Sequence, residues 1–135
     1  MTGLSAFKAA MALIALVIAV GVAAAEQQTS NQNGVVVRVT PGRLSPGATT
    51  WDFEVVFETH TVQLTGDPAQ FTVLLDPQGQ AHAPLRWDGD PPGSHHRKGV
   101  LRFKPLRSAP ATVTLKIRGV GGVPERAFTW PVADQ

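Results

Sequence analysis

Three histidines are the side chains of this sequence best suited to bind a metal ion. His60 follows a predicted strand, and His95 and His96 are adjacent in a loop rich in proline and glycine. Neutral imidazole is a good ligand for copper and zinc. The loop contains Pro91-Pro92-Gly93, which could turn the backbone so that both adjacent rings face one ion. We therefore predict a copper or zinc site at His60, His95 and His96. The carboxylates that could complete it are Asp88, Asp90 and Glu125.

The same loop admits two other interpretations. It could be a solvated connection in which an imidazole only hydrogen-bonds to backbone. It could also bind a small anion, since cationic side chains accompany the histidines. The cations in question are Arg97, Lys98 and Arg126. Trp87 lies at the start of the loop, where it is a candidate either for the core or for ligand contact.

Catalysis is not expected from this loop. Ser94 directly precedes His95, with Asp88 and Asp90 nearby, so the residue types of a catalytic triad are present. Sequence neighbours rarely reach the geometry of a nucleophile and its base, and the sequence has no Gly-x-Ser-x-Gly elbow. We predict a protein that is not an enzyme.

The elements that must position these residues are short strands. Alternating apolar and polar residues, separated by glycine and proline turns, predict strands at residues 35–40, 50–59, 71–75, 81–87, 99–104, 112–118 and 126–132. Seven such strands indicate an all-β fold, a seven-stranded antiparallel immunoglobulin-like β-sandwich. A small barrel is the alternative. No helix is expected after residue 25.

Antiparallel order makes two predictions about the site. Every second loop lies at the same end of the fold, so residues 60–70, 88–97 and 119–125 share one pole, with His82 at the other. In the immunoglobulin arrangement, strands 50–59 and 99–104 are neighbours. Their outward charges fit a register that places Glu54 opposite Arg102. The same register places Phe57 opposite Gly99 and His60 opposite His96.

The N-terminus predicts export. Lys8 is followed by an uncharged apolar run at 9–22 and by alanines at 23–25, the pattern of a signal peptide. We predict a signal peptide at 1–25, a flexible polar tail at 26–33, the sandwich at 34–132 and a C-terminal tail at 133–135. The alternative is an uncleaved anchor, which would be the chain's only link to the membrane.

The composition limits the classes of partner. The chain has 12 Lys and Arg against 10 Asp and Glu, and removal of Lys8 with the leader leaves 11 against 10. This balance gives no reason to expect nucleic acid. The absence of cysteine excludes disulfides and a lipoprotein anchor. The predicted location is periplasmic or extracellular, and the predicted partner is a protein of the cell envelope.

Three segments carry a resemblance. They are Glu-Thr-His at 58–60, the segment from Trp87 to Phe103 with its His-His-Arg run, and the segment from Arg118 to Trp130. Together they resemble a group of small uncharacterised exported proteins of prokaryotes. The resemblance implies a single exported β-domain and transfers no functional residue. The expected function is that of an accessory or binding module, with metal or anion binding as alternatives.

Overall fold

The described part of the chain consists of β-strands and turns. A computed structural model describes residues 25–93, 95–107 and 110–132. The strands there are β1 (Gln28–Gln32), β2 (Val35–Pro41), β3 (Trp51–Thr59), β4 (Thr72–Leu75), β5 (Ala81–His82), β6 (Arg86–Gly89), β7 (His96–Phe103), β8 (Thr112–Arg118) and β9 (Glu125–Pro131). The helical elements of this part are two single 3₁₀ turns, Pro68–Gln70 and Val120–Gly122. The predicted all-β class is confirmed.

The strands form two antiparallel sheets that share one core. One sheet has the order β1-β2-β3-β7-β6, and the other has the order β5-β4-β8-β9. Residues of β3 alternate between buried and partly or fully exposed because a strand turns successive side chains to opposite faces. Phe53 of β3 contacts Phe103 in its own sheet, with ring centroids 5.5 Å apart, and Trp130 of the other sheet at 5.6 Å. Aromatic contacts therefore join the two layers.

The first strand corrects the prediction of a flexible tail at 26–33. Residues Gln28–Gln32 pair with β2 along their whole length. Side chains then attach this polar strand to the other sheet: Gln28 donates to the carbonyl of Thr129 at 2.6 Å, and Arg126 Nη1 donates to the Ser30 hydroxyl at 2.9 Å. Hydrogen bonds and a buried guanidinium stabilise this strand in place of apolar side chains.

The predicted strand at 81–87 is two strands in different sheets. Ala81–His82 pairs with β4, and Arg86–Gly89 pairs with β7. Pro84 lies between them and cannot donate a ladder hydrogen bond, so the chain changes sheet there. The predicted strand at 99–104 also begins earlier, at His96.

The predicted neighbours β3 and β7 do pair, but the predicted register is wrong by two residues. Glu58 lies opposite His96, Glu54 opposite Val100, and Val55, not Phe57, opposite Gly99. A shift of two keeps every side chain on its expected face. The room beside Gly99 is filled by Trp87, since a Cβ at Gly99 would stand 2.5 Å from the Trp87 ring atom Cζ2. Packing of that indole favours the observed register.

The predicted tail at 133–135 and all but the last residue of the predicted signal peptide lie outside the described residues. Within the described ranges, no helix has the length and apolar character needed to cross a membrane.

Candidate functional site

Three loops meet at one pole of the fold, as the strand order predicts. Gly93 N–H donates to the carbonyl of Leu64 at 2.8 Å, which joins the loop after β6 to the loop after β3. The loop after β8 closes the third side. Between them lies a cavity of about 420 Å³, here called the pole cavity. Its lining residues are Phe57, Val62, Gln63, Leu64, Thr65, Gly66, Phe71, Arg97, Arg118, Gly119, Val120, Gly121 and Gly122.

Arg97 is the buried charge of the pole cavity. Only 3% of this residue is exposed, because it occupies an inward position of β7 opposite Phe57. Its Nε donates to the carbonyl of Asp90 at 2.9 Å and its Nη1 to the carbonyl of Gly66 at 2.7 Å. Both acceptors are neutral. Among the described residues, no carboxylate lies within ion-pair distance of this guanidinium.

Burial lowers the pKa of Arg97 below its usual value, while the charges of Asp67 and Asp90 oppose the shift. A guanidinium keeps its proton in proteins, so the side chain remains a cation. The pole cavity therefore has a fixed positive charge in a poorly solvated position, where electrostatic interactions are stronger than in water.

Trp87 supports Arg97 from the core. The guanidinium carbon lies 5.7 Å from the centre of the Trp87 ring system, within the range of a cation–π contact. The indole packs over Gly89 and Gly99, and its Nε1 donates to the Asp90 carbonyl at 3.1 Å. Phe57 contacts the same ring at 6.2 Å. Trp87 is therefore partly buried against the core and orients the cation behind the pole cavity.

Arg118 is a second cation at the pole cavity and is much more exposed. Its side chain is 56% exposed, and its Nε lies 3.9 Å from Glu125. Glu125 lies closer to Lys116 Nζ, at 3.3 Å. The loop that follows, residues 119–122, reverses tightly through glycines with positive φ at Gly119 and Gly121. A Cβ on Gly121 would stand 2.7 Å from Cγ2 of Val35.

The predicted histidine cluster lies at the same pole but is more open than predicted. His95 accepts from Thr59 N–H at 2.9 Å through its carbonyl, and His96 Nε2 lies 3.6 Å from a Glu58 carboxylate oxygen. Arg38 donates to Glu58 at 2.6 Å, and this hydrogen bond lowers the pKa of Glu58, with smaller contributions from His96 and His60. In the parts of the chain that are described, no group of three or more potential ligands is close enough to hold a metal ion.

The candidate oxygen ligands already have partners. Asp88 accepts hydrogen bonds from Arg102 and Arg86, which lower its pKa, and the Asp90 carboxylate accepts from Lys98 N–H at 2.9 Å. Glu125 lies beside Lys116, as described above.

Two of the predicted anion-binding cations do not line the pole cavity. Lys98 has its Nζ 3.7 Å from Glu54 on the outer face of the sheet, where its side chain is 55% exposed. Arg126 is buried behind the loop at 119–122 and donates to the Val120 carbonyl at 3.1 Å. Of the three predicted cations, Arg97 does line the pole cavity. Arg118 also lines it and is not among the predicted residues.

The alternation of inward and outward residues in the sequence could have identified Arg97 as an inward-facing residue. Phe103 is a predicted inward residue, and Arg97 has the same parity in the same segment. Arg118 gives no comparable signal, since it terminates a strand as many solvated cations do. No family model, curated protein or solved structure matches this chain.

Proposed function

We propose that the chain is an exported, non-catalytic binding module built on an immunoglobulin-like β-sandwich, and that the pole cavity is its binding site. The order β2-β3-β7-β6 corresponds to strands A-B-E-D of an immunoglobulin domain, and β4-β8-β9 corresponds to C-F-G. In this assignment β1 and β5 are additions at opposite sides. The leader-like pattern around Lys8 supports export.

The observation that carries the proposal is the pole cavity with its buried charge. A volume of about 420 Å³ lies within the range of small-ligand sites, which are mostly apolar with a few fixed polar groups. Phe57, Phe71 and Leu64 supply apolar wall, and Arg97 supplies the fixed polar group. Loops at one end of a rigid sandwich are where such folds place binding residues.

The test is a screen of small fragments by amide chemical shifts on the chain without residues 1–25. We expect fragments that shift the amides of Gly66, Val120 and Gly121 together. Thr65→Trp, at an exposed residue of the rim, should abolish these shifts by filling the opening. Gln78→Trp, in the turn between β4 and β5, should leave them unchanged. Shifts scattered over the surface, or unaffected by Thr65→Trp, would contradict the proposal.

Copper or zinc binding by His60, His95 and His96 stays a prediction, as does a protein partner in the cell envelope. Titration calorimetry with each ion, with His60→Ala and His96→Ala beside the parent chain, tests the metal. The described geometry favours the pole cavity because the candidate oxygen ligands Asp88, Asp90 and Glu125 already have partners.

A further inference from the structure

The pole cavity has apolar walls and a cationic end. Its apolar side chains come from β3 and the loop after it, from the residue before β4, and from the loop after β8; they are Phe57, Val62, Leu64, Phe71 and Val120. Arg97 lies among them with almost no exposure to solvent. Such an environment excludes fully hydrated ions and suits a ligand with an apolar body and one charged group.

Among the described residues no carboxylate lies within ion-pair distance of Arg97, which distinguishes it from the arginines on the outer face of the same sheet. Arg102 lies 2.6 Å from Asp88 and 2.8 Å from Asp52. Arg38 lies 2.6 Å from Glu58. Arg97 instead contacts carbonyl dipoles and the Trp87 ring, and the charges of Asp67 and Asp90 act on it only from beyond ion-pair distance. Buried charges in proteins are normally paired, so a buried cation that lines a cavity favours an anionic ligand.

We propose that the ligand of the pole cavity is a small monocarboxylic acid with a compact branched or aromatic apolar body. This inference rests on the proposed function and specifies its ligand class. The carboxylate lies at Arg97, and Arg118 at the rim contributes a second cation. The apolar body contacts Phe57, Phe71 and Val120.

A single carboxylate fits this charge better than phosphate does. A guanidinium is a planar set of donors that matches a carboxylate. Nε and one hydrogen of Nη1 already donate to carbonyls, so the carboxylate binds at the remaining hydrogens of Nη1 and Nη2. One buried cation balances one negative charge, whereas a dianion would keep a net charge in an apolar surrounding. Arg118 is exposed and shares Glu125 with Lys116, so it adds attraction without full neutralisation.

The experiment is titration calorimetry with isovalerate and phenylacetate, compared with acetate, inorganic phosphate and the uncharged isovaleramide and phenylacetamide. We expect both larger carboxylates to bind at least about tenfold more tightly than their amides, since a hydrogen bond to a charged group contributes that much or more. Acetate, which lacks the apolar body, should bind more weakly than either of them.

Arginine variants test which cation binds the carboxylate of the ligand. Arg118→Gln should weaken phenylacetate binding by about 1.5-fold to fivefold, because it removes a solvent-screened cation. Arg86→Gln is the control, since its side chain is also 56% exposed but lies in β6 beside Asp88. It should leave the affinity unchanged. Arg97→Met should remove detectable binding, and Arg118→Gln keeps the test decisive if Arg97→Met does not fold.

Three results would overturn the inference. They are equal affinity for acid and amide, phosphate binding as tight as that of phenylacetate, or no binding by any carboxylate. The fragment screen separates these failures from failure of the proposed function. Neutral fragments that bind and are excluded by Thr65→Trp would leave the pole cavity as a binding site with a different ligand class.

Discussion

Arg126 and Arg97 are both almost completely buried, but the groups around them differ. Arg126 donates from Nη1 to Ser30 and Val35 and from Nη2 to the carbonyls of Gln32 and Val120. These contacts join the β1–β2 hairpin to the loop after β8. Arg97 makes two hydrogen bonds to carbonyls and lines the pole cavity. One cation connects the two sheets, and the other lines a cavity.

The comparison shows how burial can serve either stability or binding. Both guanidiniums lie away from water, and desolvation lowers the pKa of each. Arg126 offsets this cost with a nearly complete set of acceptors, although its Nε is buried without a partner among the described residues. Arg97 has fewer acceptors and an adjacent empty volume. Removal of each side chain should therefore have different consequences.

The largest effect should come from Arg126→Met. The change leaves the carbonyls of Gln32 and Val35 and the hydroxyl of Ser30 without their donor, so we expect the free energy of unfolding to fall by about 3 kcal/mol. Urea unfolding measures the loss. Arg86→Met, at an exposed arginine, should change stability by less than about 0.5 kcal/mol. A loss below about 1 kcal/mol would show that Arg126 does not hold β1.

Gly99→Ala should have the next largest effect on stability, because it disturbs the packing of Trp87, whose ring contacts Arg97. The added Cβ would lie 2.5 Å from Trp87 Cζ2 and 2.7 Å from Gly89 Cα. Overpacking of this kind costs about 1–3 kcal/mol. Urea unfolding and the indole N–H shift of Trp87 should both change. Gly47→Ala is the matched control, since nothing lies within 4 Å of its Cβ position. Equal stability of the two variants would argue against tight packing of Trp87 on Gly99.

Arg97→Met should cost less than either change. The Asp90 carbonyl keeps a donor in Trp87 Nε1, and the Gly66 carbonyl lies at the pole cavity, where water can replace the lost donor. Replacing a buried charge by an apolar chain also removes its desolvation cost. We expect a loss of about 1 kcal/mol in urea unfolding. A loss as large as that of Arg126→Met would make Arg97 a structural residue and weaken the contrast between the two.

The sequence predicts the faces of the strands better than their alignment. Period-two alternation places Phe53, Phe57 and Phe103 inward, and the structure agrees. The predicted register depends on direct charge pairing between two strands. In this sheet the observed ion pairs involve four strands instead. Arg102 contacts Asp52 on one side and Asp88 on the other, and Glu58 contacts Arg38 of β2. Charges on long side chains reach diagonally, so they specify register weakly.

The features that the sequence did not predict depend on long-range contacts. A polar run such as Gln28–Gln32 resembles a tail until the donors of Arg126, about a hundred residues later, are placed against it. The pole cavity likewise requires three loops at once. Its location at the shared pole follows from strand order alone, whereas its charge depends on whether Arg97 faces the core.

Disrupting the exposed pair Arg38–Glu58 should have the smallest effect on the free energy of unfolding. This pair is the reference for the two buried cations. Both side chains are more than a third exposed, so solvent screens their attraction. The hydrogen bond from Arg38 holds the pKa of Glu58 below its usual value of 4.5, which means that the folded state prefers the ionised form. This contribution is complete above the usual pKa and disappears as pH falls through the lower pKa of the folded state.

Glu58→Gln tests this contribution by urea unfolding at neutral pH and at a pH well below 4.5. The parent chain should exceed the variant slightly at neutral pH, and the difference should vanish in acid, since protonation then makes Glu58 neutral as well. Added salt should reduce the difference at neutral pH, because His96, His60 and Arg38 surround the carboxylate in a solvated position. Arg126→Met provides the contrast, since its buried neutral acceptors do not titrate. If added salt did not change the effect of Glu58→Gln, solvent would not be screening this surface pair. The pair would then behave like the buried contacts of Arg126, contrary to the prediction.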